Sequence, residues 1–406
     1  MDLFYRYPFL MICIFALSLM QCGESEEPSH QQELNTLDLL ETAYTERLIL
    51  RAKEIVLMPP VSIKKDKSKK YGIESRTYVS LACYWWPDPA SDNGLPYIRI
   101  DGAVNPETRG DASDLPALVE MAKRVELLST AYLITGDSLF AERAIQQIHS
   151  WFIDPNSAML PHLEHAQMVR GRDRGRSYGI IDTWWFVRVI HSIPVLEQSD
   201  FWTEEIETGL KNWFSHYLNW LRNSEFGKQE VRSKNNHGTW FDVQLVTFAN
   251  FVGQYAFAKQ HIVSISQKRL SRQITRTGRQ RYETRRPKPE HYSIYNLNGW
   301  FELIAQAEKS GIHLHHSKTF WSGSIEDALL YLIRLMHNID FEEIIDPLDR
   351  TDSDRLYLDL LIKSAEYFSH EEINQEIKRI TPLVRHPEIV HLRSSSLLHE
   401  TPVSDL

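Results

Sequence analysis

The sequence has 406 residues, of which 42% are hydrophobic and 11% are aromatic, and it can therefore bury a large core as one large domain or two ordinary ones. The formal net charge is −9, which gives no reason to expect a nucleic-acid partner. The 11 Trp and 17 Tyr residues fit a protein that binds sugars, although most of these rings are expected in the core.

The N-terminus is typical of an exported protein. An apolar run from Phe9 to Met20 follows Arg6, and it is shorter than the ~20 residues that span a bilayer. It ends at Met20-Gln21-Cys22-Gly23, which resembles a bacterial lipoprotein cleavage site. We interpret residues 1–22 as a signal peptide with lipidation at Cys22; the alternative is a simple secretory signal. The predicted location is the periplasm or outer-membrane surface of a Gram-negative bacterium, with membrane contact only through the lipid anchor.

The cysteines do not predict a disulfide in the mature chain. Cys13 lies in the segment that is removed, and Cys22 would carry the lipid, so Cys83 has no partner. Because it stands beside aromatic residues, we interpret Cys83 as a small buried hydrophobic residue and not as a nucleophile.

We divide the rest of the chain into a polar linker (23–35), a catalytic domain (36–390) and a polar tail (391–406). Helical spacing of apolar residues continues from Leu37 to Val56 and stops at Pro59-Pro60. The run from Lys64 to Lys70 is expected to form a solvated loop. The segment from Ser80 to Glu107 has no helical or strand period beyond a short run at Thr77–Leu81, so we expect a long ordered loop, which is often functional.

From Leu115 onward helices dominate the pattern. A helix starting at Leu115, a turn at Gly136-Asp137 and a return helix to Phe152 predict an αα-hairpin. Further helices are predicted over Thr183–Val195, Phe201–Leu221, Trp240–Lys259, a stretch through Ala305 to Lys309, Ile325–His337 and Asp354–Tyr367. These elements predict an all-α array of antiparallel hairpins, either an open solenoid or one closed into a toroid.

Two polar stretches point to a site for an anion. Asn235, Asn236 and His237 precede the helix predicted from Trp240, so their donors lie at the positive end of its dipole. A carboxylate held there becomes easier to convert to an enolate; the alternative is that an Asn only caps the helix. The run from Lys268 to Lys288 is strongly basic, and its single acid is Glu283.

The chain resembles the alginate lyase family of polysaccharide lyases. Five stretches carry this resemblance in the family's order: YWWPDP (Tyr84–Pro89), PYIRIDG (Pro96–Gly102), the HLEHAQ…GIID block (His162–Asp182), NNHGTW (Asn235–Trp240) and the segment with Arg286 and His291-Tyr292-Ser293. The resemblance implies an (α/α) toroid with a deep cleft and long active-site loops. It also implies cleavage of 1,4-linked uronate chains by β-elimination, so the expected partner is an anionic polysaccharide.

The C5 proton of a uronate is a weak acid, so its carboxylate must first be neutralised by close donors or by Ca²⁺. The sequence offers Asn236, His237 and Arg286 and no acidic calcium loop, so we predict a site without metal or cofactor. The resemblance implies Tyr292 as the general acid and also as the base, with Arg286 stabilising its phenolate. His237 either helps to neutralise the carboxylate or acts as the base for a proton on the opposite face.

Some assignments stay open. Arg285 competes with Arg286, and Tyr295 competes with Tyr292. The substrate-binding residues that we expect are Trp86, Arg99, Gln167, Asn235, Trp240 and Tyr295. The run His313-Leu314-His315-His316 has no evident carboxylate or Cys partner, so we interpret it as a solvated loop and not as a metal site.

The favoured substrate is alginate with mannuronate-type linkages. Glucuronan is an alternative, because glucuronate shares the C4/C5 arrangement of mannuronate. A non-catalytic glycan-binding lipoprotein would not need Asn236, His237 and Tyr292 together. A glycoside hydrolase would need two opposed carboxylic acids, and Asp88, Asp101 and Glu164 are candidates by residue type alone.

Overall fold

The computed structural model describes residues 45–63, 71–318, 321–337 and 353–380. The predicted signal peptide with Cys22, the linker, the loop Lys64–Lys70 and the tail lie outside these ranges. No helix within them is long and apolar enough to cross a membrane. The chain forms two compact units, one from Ile49–Tyr331 and one that combines Met1–Leu48 with Leu332–Leu406. The domain limits at 36 and 390 stay a prediction.

Helices make up most of the described chain. They are α1 (45–56), α2 (Leu115–Thr135), α3 (Ser138–Ile148), α4 (Trp185–Leu196), α5 (Glu204–Asn223), α6 (Glu225–Glu230), α7 (Asn236–Phe251), α8 (Tyr255–His261), α9 (Gln267–Gln273), α10 (Pro289–Glu308), α11 (Ile325–Met336), α12 (Ser353–Ala365) and α13 (Glu371–Ile380). One π-helical turn follows α3 (His149–Ile153), another separates α8 from α9 (Ile262–Ser266), and a 3₁₀ segment (Ser177–Trp184) leads into α4.

The predicted αα-hairpin is formed by α2 and α3. Gly136 ends α2 in the left-handed region at φ 69°, and its N–H donates to the carbonyl of Tyr132 at 2.8 Å. The Asp137 carboxylate then accepts the N–H of Leu139 at 3.0 Å and so caps the start of α3. The sequence signal for the turn was therefore read correctly.

Two helix predictions need correction. The helix expected to reach Lys259 ends at Phe251, because Gly253 adopts φ +77° and reverses the chain before α8 begins at Tyr255. The helix α13 was not predicted, although Ile373 and Ile380 give it a buried apolar face among charged residues.

Short strands lie in stretches that were expected to be irregular. The predicted run near Thr77 forms β1 (Val79–Leu81), which pairs in parallel with β4 (His165–Met168). Inside the expected long loop, β2 (Trp85–Trp86) pairs antiparallel with β3 (Ile98–Arg99). These pairs join segments that are far apart in sequence, so a local period could not reveal them.

The helices α7 and α10 form the centre of the larger unit and are buried along most of their length. The indole N–H of Trp240 donates to the Tyr295 carbonyl at 3.1 Å, and the Asn250 amide donates to Gln306 at 3.0 Å. Because these contacts advance in the same direction on both helices, α7 and α10 run parallel. Their N-terminal ends therefore lie at the same end of the unit.

The smaller unit has its own contacts. The Tyr357 hydroxyl of α12 donates to the buried carboxylate of Glu376 on α13 at 2.9 Å. Arg334 forms an ion pair with Glu372 at 2.8 Å. The sequence-derived candidate residues for catalysis and substrate binding that the structure describes all belong to the larger unit.

Candidate active site

Tyr292 lies in the first turn of α10, three residues after Pro289 opens the helix. Its side chain is 8% exposed. The hydroxyl lies 2.6 Å from the Tyr84 hydroxyl and accepts a hydrogen bond from Arg286 Nη2 at 2.8 Å. The Arg286 guanidinium also lies over the Tyr292 ring, 3.9 Å from its centroid. Two neighbours therefore converge on one phenol oxygen.

Arg286 connects this phenol to an acid. Its Nη2 also donates to Asp101 Oδ1 at 3.0 Å, and Arg99 donates to the same oxygen at 3.0 Å. Arg285, by contrast, has an exposed side chain. Of the two arginines that the sequence left open, Arg286 is the one that contacts Tyr292.

The surroundings of Tyr292, Tyr84 and Tyr295 affect the pKa of each phenol differently. Burial raises the pKa of Tyr292, while the Tyr84 hydrogen bond and the Arg286 charge oppose that rise. Burial also raises the pKa of Tyr84, and its hydrogen bond to Tyr292 raises it further. Burial raises the pKa of Tyr295 well above 10.0, with Asp182 and Tyr84 adding to the rise. Among these three tyrosines, Tyr292 is the one whose hydroxyl accepts a hydrogen bond from a cation.

His237, on the first turn of α7, is oriented by an acid that the sequence analysis missed. Its Nδ1 lies 2.8 Å from Glu230 Oε1, and the Glu230 side chain is 1% exposed. An ionised carboxylate only accepts, so Nδ1 carries a hydrogen and Nε2 is left for the site. The acid seven residues before a histidine in a polar stretch was the only signal for this pair.

Asn236 is held by Glu283. The backbone N–H of Asn236 donates to Glu283 Oε1 at 2.7 Å, and its side-chain Nδ2 donates to Oε2 at 2.6 Å. Burial raises the pKa of Glu283, against the lowering effect of these two bonds and of His237 and Arg286. The side chain of Asn235 makes no capping hydrogen bond. The Glu283 carboxylate, from a distant part of the chain, instead accepts the backbone N–H at the start of α7. The alternative that an Asn side chain caps this helix is therefore wrong.

A buried arginine supports the turn before α7. Arg269 donates to Asp242 at 2.7 and 3.1 Å, to the Val231 carbonyl at 2.9 Å and to the Ser233 carbonyl. Its guanidinium fills the space beside the α-carbon of Gly238, where a larger residue would clash. Arg269 belongs to the basic run at 268–288, and it is an internal ion-pair partner instead of a substrate contact.

Gln167 adopts a positive φ of 49°, which is unusual for a residue with a side chain. Its backbone N–H donates to Ser80 Oγ at 2.8 Å, and its Nε2 donates to Asp182 Oδ1 at 3.1 Å. Arg176 donates to both the backbone and side-chain oxygens of Gln167 at 3.1 Å. These bonds fix the side chain in one orientation.

A row of alternating arginines and aromatic rings leads to His237. The Arg172 guanidinium lies 5.1 Å from the Trp85 ring centroid, and Arg176 lies 5.6 Å from the same ring. Arg176 also lies 5.3 Å from the Tyr178 ring, whose edge packs against His237 at 5.0 Å. We call these residues the arginine–aromatic row. Such surfaces bind sugar rings and negative charges together.

Other predicted binding residues are spread around this centre. The Trp86 indole donates to the Ala103 carbonyl at 2.9 Å, and the half-exposed Arg99 pairs with Asp101. Trp240 is 2% exposed and packs beneath the site against Tyr295, at 5.2 Å between ring centroids. This placement gives the Trp240 ring a packing role. A direct contact of Trp240 with substrate stays a prediction.

The three acids suggested by the hydrolase alternative have separate partners. Asp88 accepts the Ala90 N–H at 2.9 Å, Asp101 binds two arginines, and Glu164 accepts the Trp220 indole N–H at 2.8 Å. Burial raises the pKa of the Cys83 thiol to about 11, which agrees with its interpretation as an unreactive residue.

Comparisons with known proteins identify the family of the chain. The sequence profile of the alginate lyase family matches residues 62–340. The structure is similar to that of an alginate lyase from Bacteroides ovatus, with 30% identity, a TM-score of 0.77, and 86% of this chain and 92% of that chain covered. It is also similar to alginate lyase A1-III from Sphingomonas species A1, with 13% identity, a TM-score of 0.50, and 77% and 83% covered. A search of curated proteins finds no match.

The chain belongs to the alginate lyase family and is a polysaccharide lyase. The predicted fold class, an all-α (α/α) toroid, is confirmed by the structural likeness to the two lyases. The predicted anionic polysaccharide partner follows from the family.

Proposed function

We propose that this member of the alginate lyase family cleaves the 1,4-linked chain of alginate at mannuronate-type linkages, by a β-elimination that needs no metal ion. The observation that carries the proposal is the pair of contacts on the Tyr292 hydroxyl, from Tyr84 at 2.6 Å and from Arg286 at 2.8 Å. Because Arg286 is a cation, it favours the phenolate that a tyrosine base must form.

The elimination breaks the C5–H and C4–O4 bonds and forms the C4=C5 double bond and a new O4–H bond. A base takes the proton from C5, the C4=C5 double bond forms, and O4 leaves with its bonding electrons and receives a proton. In mannuronate the C5 proton and O4 lie on the same face of the ring. Tyr292 can therefore take the C5 proton as a phenolate and return a proton to O4 as a phenol.

Charge builds on the substrate carboxylate when the C5 proton leaves, so the carboxylate must meet donors. Asn236 keeps one amide hydrogen beyond the one that binds Glu283. With Nδ1 held by Glu230, His237 as an imidazolium would donate to the substrate from Nε2. We assign these two donors to the carboxylate, and Arg286 to the phenolate.

The arginine–aromatic row supports an extended polyanion beside His237. Arg172 has a side chain that is 60% exposed, so it can meet a uronate carboxylate without a large rearrangement. Trp86, Arg99, Gln167, Asn235 and Tyr295 are the other proposed subsite residues.

The substrate alternatives follow from ring geometry. Glucuronate has its C5 proton on the same face as mannuronate, so glucuronan would use the same residues. Guluronate has this proton on the opposite face, where His237 would act as the base and Tyr292 only as the acid.

The test is to incubate the mature protein, with EDTA present, on polymannuronate, polyguluronate, glucuronan and a hyaluronan control, and to follow the absorbance of unsaturated uronate. Tyr292→Phe is compared with Tyr295→Phe and with Tyr255→Phe, which changes an exposed tyrosine. We expect the fastest rise on polymannuronate, and its loss only in Tyr292→Phe. Activity that disappears with EDTA, or that survives in Tyr292→Phe, would contradict the mechanism.

The proposed export rests on the sequence of residues 1–22. A signal core that ends at Cys22 supports transport and lipid attachment. In a Gram-negative host, the wild-type chain should fractionate with membranes and Cys22→Ser should become a soluble exported protein. Equal fractionation of both proteins would argue against the lipid anchor.

A further inference from the structure

A second cluster of side chains lies at the far end of α10. Tyr292 is in the first turn of this helix, and Glu308 is its last residue. At 1.5 Å per residue, the 16 steps between them span about 24 Å, so the cluster is separate from the candidate active site.

The chain returns to Glu308 through a short reversal. Gly311 adopts φ +68°, and its N–H donates to the Glu308 carbonyl at 2.9 Å. A 3₁₀ turn (Leu314–His316) follows, with Leu314 fully buried beneath it. The buried leucine holds the neighbouring histidines against the end of α10.

One carboxylate faces two imidazoles in this reversal. His313 Nδ1 lies 2.9 Å from Glu308 Oε2, and His315 Nδ1 lies 2.9 Å from Glu308 Oε1. One ligand atom from each of the three residues fits within a mutual distance of 4.8 Å. The sequence interpretation that this histidine run lacks a carboxylate partner is therefore wrong, although His313 and His316 are exposed, as expected for a solvated loop.

We propose that Glu308, His313 and His315 form a binding site for a divalent transition metal ion, and that Zn²⁺ is the ion that fits. Two imidazole nitrogens and one carboxylate oxygen are a common donor set for Zn²⁺, with water as the fourth ligand. Zinc–ligand distances of about 2.0–2.2 Å separate neighbouring ligand atoms by roughly 3.0–3.5 Å, close to the N–O separations present here.

The geometry of the turn also suits a metal. Both imidazoles reach the same carboxylate with their Nδ1 atoms, so an ion held among these three groups would meet one ligand atom from each. The bound ion would hold the 313–316 turn to the end of α10, and its role would be structural.

The experiment uses the full mature chain without an affinity tag, stripped of metal and dialysed against Zn²⁺. Bound zinc per chain, the zinc-dependent rise in melting temperature and the visible spectrum with Co²⁺ are measured. The variants are Glu308→Gln and His315→Ala. The matched control is His216→Ala, because His216 is an exposed histidine whose hydrogen bond, among the described residues, goes to the Asn212 carbonyl of its own helix. It shows whether the loss of any exposed histidine lowers zinc binding.

We expect one zinc ion per wild-type chain, a higher melting temperature with zinc, and a tetrahedral Co²⁺ spectrum. Both variants should weaken zinc binding more than about tenfold, while the control keeps it. Lyase activity should persist in Glu308→Gln, which also verifies folding if His315→Ala is unstable. Substoichiometric zinc, or equal binding in wild type and Glu308→Gln, would overturn the site.

Discussion

The pair formed by Glu230 and His237 gives a sharp test of the candidate site. Replacing Glu230 by Gln keeps the size of the side chain and an oxygen that can accept from His237 Nδ1, but it removes the negative charge. Glu230 is 1% exposed and its oxygen lies 2.8 Å from the ring, so solvent screens this interaction little. The change should therefore weaken the electrostatic contact with the imidazole more than it alters the position of the ring.

The expected loss follows from the strength of a charge-assisted hydrogen bond. Such a bond contributes about 1.5–3 kcal/mol, and each ~1.4 kcal/mol is a factor of ten, so kcat/KM should fall roughly 10–100-fold. Thermal unfolding should change little.

Initial rates of unsaturated-uronate formation on polymannuronate measure this effect. Glu225→Gln is the matched control, since Glu225 lies on the same helix, is exposed and pairs only with Lys228 among its described partners. A double-mutant cycle with His237→Ala separates direct from indirect effects. If Glu230 acts through His237, the double variant should be no slower than His237→Ala alone. Additive losses, or a Glu230→Gln variant as active as Glu225→Gln, would refute the reasoning.

Three further predictions concern the phenol, the buried ion pair and the arginine–aromatic row. Because burial raises the pKa of Tyr292, little phenolate exists at neutral pH. The value of kcat/KM on polymannuronate should therefore rise with pH through the alkaline range. A rate profile that stays flat above pH 7 would exclude Tyr292 as the base. Burial alone would raise the pKa of Asp242, but Arg269 and His261 outweigh it and hold that pKa at about 2. The depressed pKa contributes about 2 kcal/mol of folding stability above pH 4, and this contribution should disappear as the pH falls from 4 to 2. Denaturant unfolding should show this loss of stability in wild type and a smaller loss in Asp242→Asn. Arg172→Ala should raise KM severalfold at low salt and leave kcat unchanged. Lys228→Ala is the surface-charge control. Equal KM values in both variants would show that Arg172 does not bind substrate.

The sequence predicted those features that depend on local order. Apolar spacing and the Gly136-Asp137 turn gave the hairpins, because a helix is specified by neighbours three and four residues apart. The resemblance pointed to Tyr292 and Arg286, and the structure joins their side chains. The contact between Tyr84 and Tyr292 connects residues 208 positions apart, so only the tertiary fold could reveal it.

Other errors have instructive causes. Arg269 was counted with a basic run, but it is buried against Asp242, because charge along a sequence does not distinguish a surface cation from an internal one. Glu308 was overlooked as a partner of His313 although only five residues separate them. There the signal was present: a helix that ends next to Gly311 allows the chain to fold back on its last turn.

The donors proposed to stabilise charge in the site share one arrangement. Asn236 binds Glu283, His237 binds Glu230, and Arg286 binds Asp101. Each donor is thus fixed by one acid and keeps other N–H groups or a second nitrogen for the site. Donors held in this way need little reorganisation when charge develops on the substrate. Neutral replacements of the three acids should therefore lower kcat more than they raise KM, since they disturb groups that act mainly in the transition state.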